Sequence, residues 1–271
     1  MSIFDQKVIK YEMKPLSSLE KVFPDETPVY RMECQMLSGL WGETVSFQVA
    51  YTGDFVMRER LDVRVVSELA EHVHVRTVEM VPVGRATNGI VDDNYLKTTS
   101  GLYPDLLKDL KDGKVIVYSR QWRSLWVDVD ITNEIPAGEY EIELQLIKEG
   151  EVVCSAKQKV TVIGTELPKL DIMHTEWMHA DCLADYYHVE VFSEEHWKLL
   201  ENYFQEYVKR DCNMMLTPLF TSPLDTAIGL ERTTCQLIDV EVKDGEYVFG
   251  FEKLKRWIDL CKKCGIEYFE M

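Results

Sequence analysis

The chain has 271 residues, 46% hydrophobic and 28% charged, enough for one large domain or two ordinary ones around a real core. Lys and Arg number 30 against 47 Asp and Glu, and the formal charge of −17 repels phosphate backbones and anionic lipids. The expected partners therefore exclude nucleic acid and membrane, and a neutral carbohydrate fits the balance.

The opening MSIFDQKVIKYEMK carries charges throughout and no apolar signal-peptide core, so the expected compartment is the cytoplasm. No window reaches the ~20 uninterrupted apolar residues of a membrane helix. From Val29 to about Ile163 the pattern has period two. In YEIELQLI, Tyr140, Ile142, Leu144 and Leu146 share one face, with Glu141, Glu143 and Gln145 on the other. SLWVDVDI sets Leu125, Val127 and Val129 against Trp126, Asp128 and Asp130, and ETVSFQVAY and LDVRVV alternate similarly. The turn signals SGLWGE, VPVGRATNG, KDGK and IPAGEY separate these runs, which predicts an antiparallel β-sandwich. One long connection, Arg85 to Gly113, interrupts it, and PDLLKDLKDG within it reads as a short helix. Asp128 and Asp130 resemble half a calcium loop, but strand alternation explains them and the loop glycine is missing.

After GTELPK the pattern changes. KLDIMHTE suits a buried strand. Ser193 is a good N-cap, with Glu194 and Glu195 in the first turn. Trp197, Leu200, Tyr203, Phe204, Tyr207 and Val208 recur at helical spacing, closed by Lys209 and Arg210. NMMLTPLF is a second strand, stopped by Pro218 and Pro223. A long loop, 221–250, leads to the helix FEKLKRWIDLCKKCG, with Phe251, Leu254, Trp257 and Ile258 on one side and Gly265 at its end. IEYFEM is a third strand, on which the chain stops. The predicted fold class is mixed. An N-terminal antiparallel β-sandwich (1–165) precedes β-α-β-α-β units (166–271) that are either a small open α/β domain or, the preferred expectation, the first units of a truncated (β/α)8 barrel, since a full barrel needs about 250 residues.

The seven Cys form no framework and read as reduced thiols. Cys261 and Cys264 make a CxxC, but it closes a predicted helix and has no second ligand pair, so one buried and one surface thiol is the preferred reading.

LDIMHTEWMHADCLADYY, residues 170–187, holds the densest group of functional side chains. His174, Glu176, His179 and Cys182 lack the i, i+4 register and the distant partner pair of a metal site, so no metal or other cofactor is expected. Trp177 offers an apolar face to a pyranose ring, and His179 and Asp181 can hydrogen-bond hydroxyls. His174 and Glu176 share a face of an extended segment; they either line the pocket or pair with each other, and Glu176 beside Trp177 is also a candidate acid. Thr221, Asp225, Glu231 and Arg232 come from the long loop, which is either functional or a solvated excursion. Glu270 ends the third strand on the same rim. The expected substrate-binding set is His174, Glu176, Trp177, His179, Asp181, Asp225 and Arg232, with no catalytic residue assigned.

The stretches WRSLWVDVDI…IPAGEYEIELQL and LPKLDIMHTEWMHADCLADYYHVEVFSEEHWKLLENYFQEYVKRDCNMMLTPLFT resemble the bacterial proteins grouped with glycoside hydrolase family 123, which are β-N-acetylgalactosaminidases. The resemblance spans nearly the whole chain. It implies a sandwich followed by a (β/α)8 barrel and a substrate-assisted retaining mechanism, in which the 2-acetamido oxygen attacks the anomeric carbon. An adjacent Asp-Glu pair on a later strand would orient the acetamide and protonate the leaving oxygen. Here the Asp-Glu dipeptide is Asp25-Glu26, in VFPDETP at the start of the sandwich, so no catalytic residue carries over. The expected function is the N-terminal portion of an N-acetylhexosaminidase-type hydrolase, inactive alone. The alternative is a non-catalytic carbohydrate-binding or assembly protein. An incomplete barrel would expose apolar surface and self-associate.

Overall fold

Alternating strands dominate the computed structural model, which describes residues 10–28, 36–55, 58–87, 89, 95–169, 171–221 and 226–271. The chain forms two compact units, Met1–Pro168 and Lys169–Met271.

The described residues of the first unit form ten strands: β1 (Lys10–Ser17), β2 (Met36–Trp41), β3 (Thr44–Asp54), β4 (Glu59–Val66), β5 (Val73–Val83), β6 (Gly101–Asp109), β7 (Lys114–Val117), β8 (Arg123–Asp130), β9 (Gly138–Lys148) and β10 (Glu151–Glu166). They build two five-stranded sheets, ordered β1-β3-β8-β5-β6 and β2-β10-β9-β4-β7. Pairing is antiparallel except for β10 with β2. The expected faces of β8 and β9 are the observed ones: Leu125, Val127, Val129, Ile142, Leu144 and Leu146 are all 0% exposed. Each such side chain contributes roughly 1.5–3 kcal/mol relative to exposure. Phe47, Val49, Leu61, Val115, Val160 and Val162 complete the same core. Asp128 bonds Arg76, Ser46 Oγ and Trp126 Nε1, which accounts for it without calcium.

The connection expected to hold a short helix at PDLLKDLKDG is instead strand β6, paired with β5 at the sheet edge. Pro104 lacks an N–H, which an edge strand tolerates, and the register shifts between Glu79 and Met80 beside it, so the ladder bulges around the proline. Sheet pairing thus overrides the helical spacing of the leucines.

The second unit holds α1 (Ala180–Tyr187), α2 (Glu194–Val208), β11 (Met214–Leu216), β12 (Asp239–Lys243), β13 (Glu246–Gly250), α3 (Glu252–Cys264) and β14 (Tyr268–Glu270). The expected start of a (β/α)8 barrel is not what forms. Strands hold 45% of the described residues and helices 16%, and three helices do not supply the opening βα units of a barrel.

The first barrel strand fails for a visible reason. The described part of KLDIMHTE joins no ladder, because side chains occupy its backbone groups. Asn213 Oδ1 accepts from His174 N–H at 2.8 Å, and Asn213 Nδ2 donates to Ile172 O at 2.8 Å. The Tyr207 hydroxyl accepts from Glu176 N–H at 2.7 Å and donates to Met214 O at 2.7 Å. NMMLTPLF keeps three residues as strand β11, paired parallel to β14. The long loop contains the unexpected antiparallel hairpin β12–β13. Its turn, Asp244-Gly245, has φ of 53° and 87°, the left-handed pair that favours Asp-Gly.

Trp257 forms the centre of this unit's core with Leu200, Phe204, Met215 and Cys261, all 0% exposed. The Trp257 ring meets Phe204 edge-on at 5.0 Å. Cys261 is buried, whereas Cys264 is half-buried beside Glu201 O, and burial raises both thiols above their ordinary range. Among the described residues, no helix is long and apolar enough to cross a membrane.

Candidate functional site

The stretch HTEWMHAD divides between support and surface. His174 sits at the entry to β11: its carbonyl accepts from Asn213 N and Met214 N, and Nδ1 lies 3.2 Å from Asp211 O. Glu176 is 3.5 Å from His174 Nε2, but its side chain is 76% exposed and its backbone is held by Tyr207. A carboxyl so exposed lacks the apolar surroundings that the acid role at this position requires.

The chain then turns into α1. Ser193 caps α2 by accepting from His196 N at 3.2 Å, which places the His196 ring inside the unit. That ring is 0% exposed and reaches Ala180 O through Nε2 at 2.9 Å, while Nδ1 accepts from Phe192 N–H at 2.9 Å. These partners require a neutral imidazole protonated at Nε2. Burial lowers its proton affinity below the usual histidine range. His196 therefore fixes the first residue of α1, and Asp181 is the next one.

Asp181 is buried in the first turn, where the helix dipole favours a carboxylate. Arg232 clamps it with two bonds, Nε to Oδ2 at 2.5 Å and Nη2 to Oδ1 at 2.9 Å. Such a fork aligns two planar groups and fixes the Arg232 loop against α1. Thr233 Oγ1 adds a bond to Asp185 Oδ1 at 2.8 Å. On the other side, Thr217 N donates to Glu270 O at 2.8 Å, extending the β11–β14 pairing, and Glu270 Oε2 accepts from Trp177 Nε1 at 3.0 Å. Cys235 N donates to Thr221 Oγ1 at 3.1 Å.

These bonds shape a concavity of about 100 Å³ lined by Trp177, His179, Asp181, Thr221, Arg232 and Phe220, among others. Trp177 is 57% exposed and Phe220 54%, so two aromatic surfaces stay open to solvent at the same opening. The Cys235 thiol also lines it but is pushed up to about 12 by burial, which leaves it protonated and unreactive at neutral pH. Of the seven substrate-binding candidates, Trp177, His179, Asp181 and Arg232 are brought together. His174 and Glu176 do not line this concavity, and Asp225 lies outside the described residues. Thr221 joins the lining, Glu270 holds the indole, and Glu231 is exposed. Sequence reasoning missed Phe220, His196 and Asn213, and placed Tyr207 merely on an apolar helix face. Histidine three residues after the Ser193 cap was a readable clue only to the helix start. Among the described residues, no group of three or more His, Cys, Asp or Glu is arranged to hold a metal ion.

Residues 177–271 match the family model described as Glycoside hydrolase 123, catalytic domain. A family 123 glycoside hydrolase from Clostridium perfringens, solved in a study of glycolipid glycan hydrolysis, superposes with a TM-score of 0.69 at 13% identity, covering 95% of this chain and 46% of that one. The chain thus spans about half the length of that enzyme, and at this identity the likeness shows a shared fold. A β-glucosidase from Listeria innocua (TM-score 0.26, 10% identity, 59% of this chain and 17% of that one) is too distant to carry an argument. So is a CARDB domain from Pyrococcus furiosus (TM-score 0.26, 13% identity, 58% and 94%). No curated protein matches the chain.

Proposed function

Starting from a chain that is glycoside hydrolase family 123-like, we propose that its second unit forms a saccharide-binding wall for an N-acetylhexosamine of the N-acetylgalactosamine type. The observation that carries this reading is the pairing of two exposed aromatic surfaces, Trp177 and Phe220, with the Asp181–Arg232 fork at one small opening. Aromatic faces complement the C–H surfaces of a pyranose, and a fixed polar pair beside them orients hydroxyl or acetamide groups. Trp177 gains orientation from its bond to Glu270, so the stacking surface is pre-set before the sugar arrives.

In the substrate-assisted retaining mechanism implied by the family, the sugar's acetamide oxygen is the nucleophile, and an adjacent Asp-Glu pair orients it and protonates the leaving oxygen. The described carboxylates at this opening have other work: Asp181 is tied to Arg232 and Glu270 to Trp177. Asp25 and Glu26 both lie against Lys97 in the first unit. We therefore assign the described residues at this opening a binding and positioning role in hydrolysis and no acid–base role. Non-catalytic carbohydrate binding is the second reading, favoured by the same engaged carboxylates.

Calorimetric titration with N-acetylgalactosamine tests the binding. Trp177→Ala is expected to weaken it about tenfold, the scale of one lost aromatic contact. A chain that binds no N-acetylhexosamine, or binds it equally well without Trp177, sinks the assignment. Aryl 2-acetamido-2-deoxygalactosides should release no aryl alcohol above background, and turnover by the isolated chain would overturn the division of labour.

A further inference from the structure

A second and larger concavity, about 770 Å³, opens in the first unit where β4 and β7 of one sheet face β5 and β6 of the other. That volume falls within the roughly 300–1,000 Å³ typical of small-molecule sites. Its lining runs against the composition of the whole chain. Arg58, Arg60, Lys108, Lys111, Lys114 and Arg123 face only Glu59, Glu79 and Asp109, in a protein whose net charge is −17.

The three carboxylates are engaged. Glu59 bonds Tyr11 and Lys148, the latter at 2.9 Å; Glu79 accepts from Thr77 at 2.8 Å; Asp109 lies 3.0 Å from His74. Of the cations, Arg60 pairs with Asp112 and Lys114 with Asp62. Arg58, Lys108, Lys111 and Arg123 have no carboxylate within ion-pair distance among the described residues. Arg123 is the most constrained of these. Its Nη2 donates to the neutral Gln121 Oε1 at 3.0 Å, its guanidinium lies 5.1 Å over the Tyr118 ring, and its buried Nη1 has no hydrogen-bond partner among the described residues. Arg123 is half-buried, whereas Arg58, Lys108 and Lys111 are exposed at the rim, so the cleft presents an excess of positive charge around one constrained guanidinium. Tyr51 in the lining stays protonated, because burial raises its proton affinity, and so adds no negative charge.

We propose that this sandwich cleft binds the anionic substituent, carboxylate or sulfate, of an acidic sugar. The cations supply charge-assisted bonds to the oxyanion, while Tyr118, Met80 and Ile116 give an apolar surface for the ring. The acidic exterior repels long polyanions, so the ligand carries one or two charges. This assignment shares with the preceding one only the saccharide class, and it uses none of the same residues.

The test is calorimetry on the whole chain at low ionic strength with D-glucuronate, galactose 6-sulfate, galactose and inorganic sulfate. Both acidic sugars should bind more tightly than galactose or sulfate alone. Arg123→Gln should weaken both about tenfold or more, the scale of a lost hydrogen bond to a charged group. Because Arg123 also packs on Tyr118, the double variant K108Q/K111Q at two exposed positions supplies an independent weakening without touching the core. Trp177→Ala should leave acidic-sugar binding unchanged, which separates failure here from failure in the second unit. Acidic sugars that bind no better than galactose overturn the proposal. So does inorganic sulfate binding as tightly as the acidic sugars, or unaltered affinity in the variants.

Discussion

The two units reach order by different routes. In the first, the ten strands of its described residues satisfy their backbones through ladders, and the core is the sum of many alternating residues from two facing sheets. In the second, the strands are three to five residues long, and single side chains do what a ladder does elsewhere. Tyr207 and Asn213 satisfy the chain before α1, His196 anchors the start of that helix, and Arg232 ties down a loop. A ladder spreads stability over many equivalent bonds, so removing one side chain leaves the remainder in register. A side chain inserted between two segments concentrates stability in one place. The candidate sugar site rests on the second arrangement, where backbone freed from pairing is available for shaping an opening.

The largest way to break this comparison is Trp257→Ala. Removing a fully buried indole costs about 3–5 kcal/mol. Native-state hydrogen exchange should show α2 and α3 losing protection while β8 and β9 keep theirs. Equal loss in β8 and β9 would show that the units do not differ in the way described. A smaller effect is expected from Tyr207→Phe, which keeps the ring but leaves the Glu176 N–H and the Met214 carbonyl without their shared partner. The cost is about 1–3 kcal/mol, read from the denaturation midpoint and from faster exchange at Glu176. If those amides exchange as before, the hydroxyl does not replace a ladder.

The smallest effect vanishes at neutral pH. Burial lowers the His196 affinity for protons in the folded chain, while the unfolded chain titrates near the ordinary value of about 6.5. Below that pH the unfolded state binds the extra proton. The stability contributed by the neutral ring is therefore complete above about 6.5 and is lost as pH falls towards the folded value. Urea midpoints should decline between pH 7 and 5 in the native chain, and this component of the slope should disappear in His196→Asn. An identical slope in the variant assigns the acid sensitivity elsewhere.

Much of this was written locally in the chain. The faces of β8 and β9 follow from two-residue alternation, and the span of α2 from Ser193 and the helical spacing after it. The β12–β13 hairpin was also legible: VEVKDGEYVFG alternates around an Asp-Gly turn, a signal obscured by treating 221–250 as one loop. Trp177 and Arg232 were expected to bind substrate from their residue types, and both line one concavity, though nothing local indicated that Arg232 would clamp Asp181, 51 positions away.

What the sequence determined by itself is therefore what depends on neighbours along the chain: alternation, helical spacing, caps, turns and net charge. Tertiary structure decided the rest, because those outcomes depend on which distant groups compete for the same backbone atoms. PDLLKDLKDG became an edge strand because β5 offered it a ladder. The described part of KLDIMHTE, patterned as a strand, joins no ladder, and the Tyr207 and Asn213 side chains bond its backbone instead.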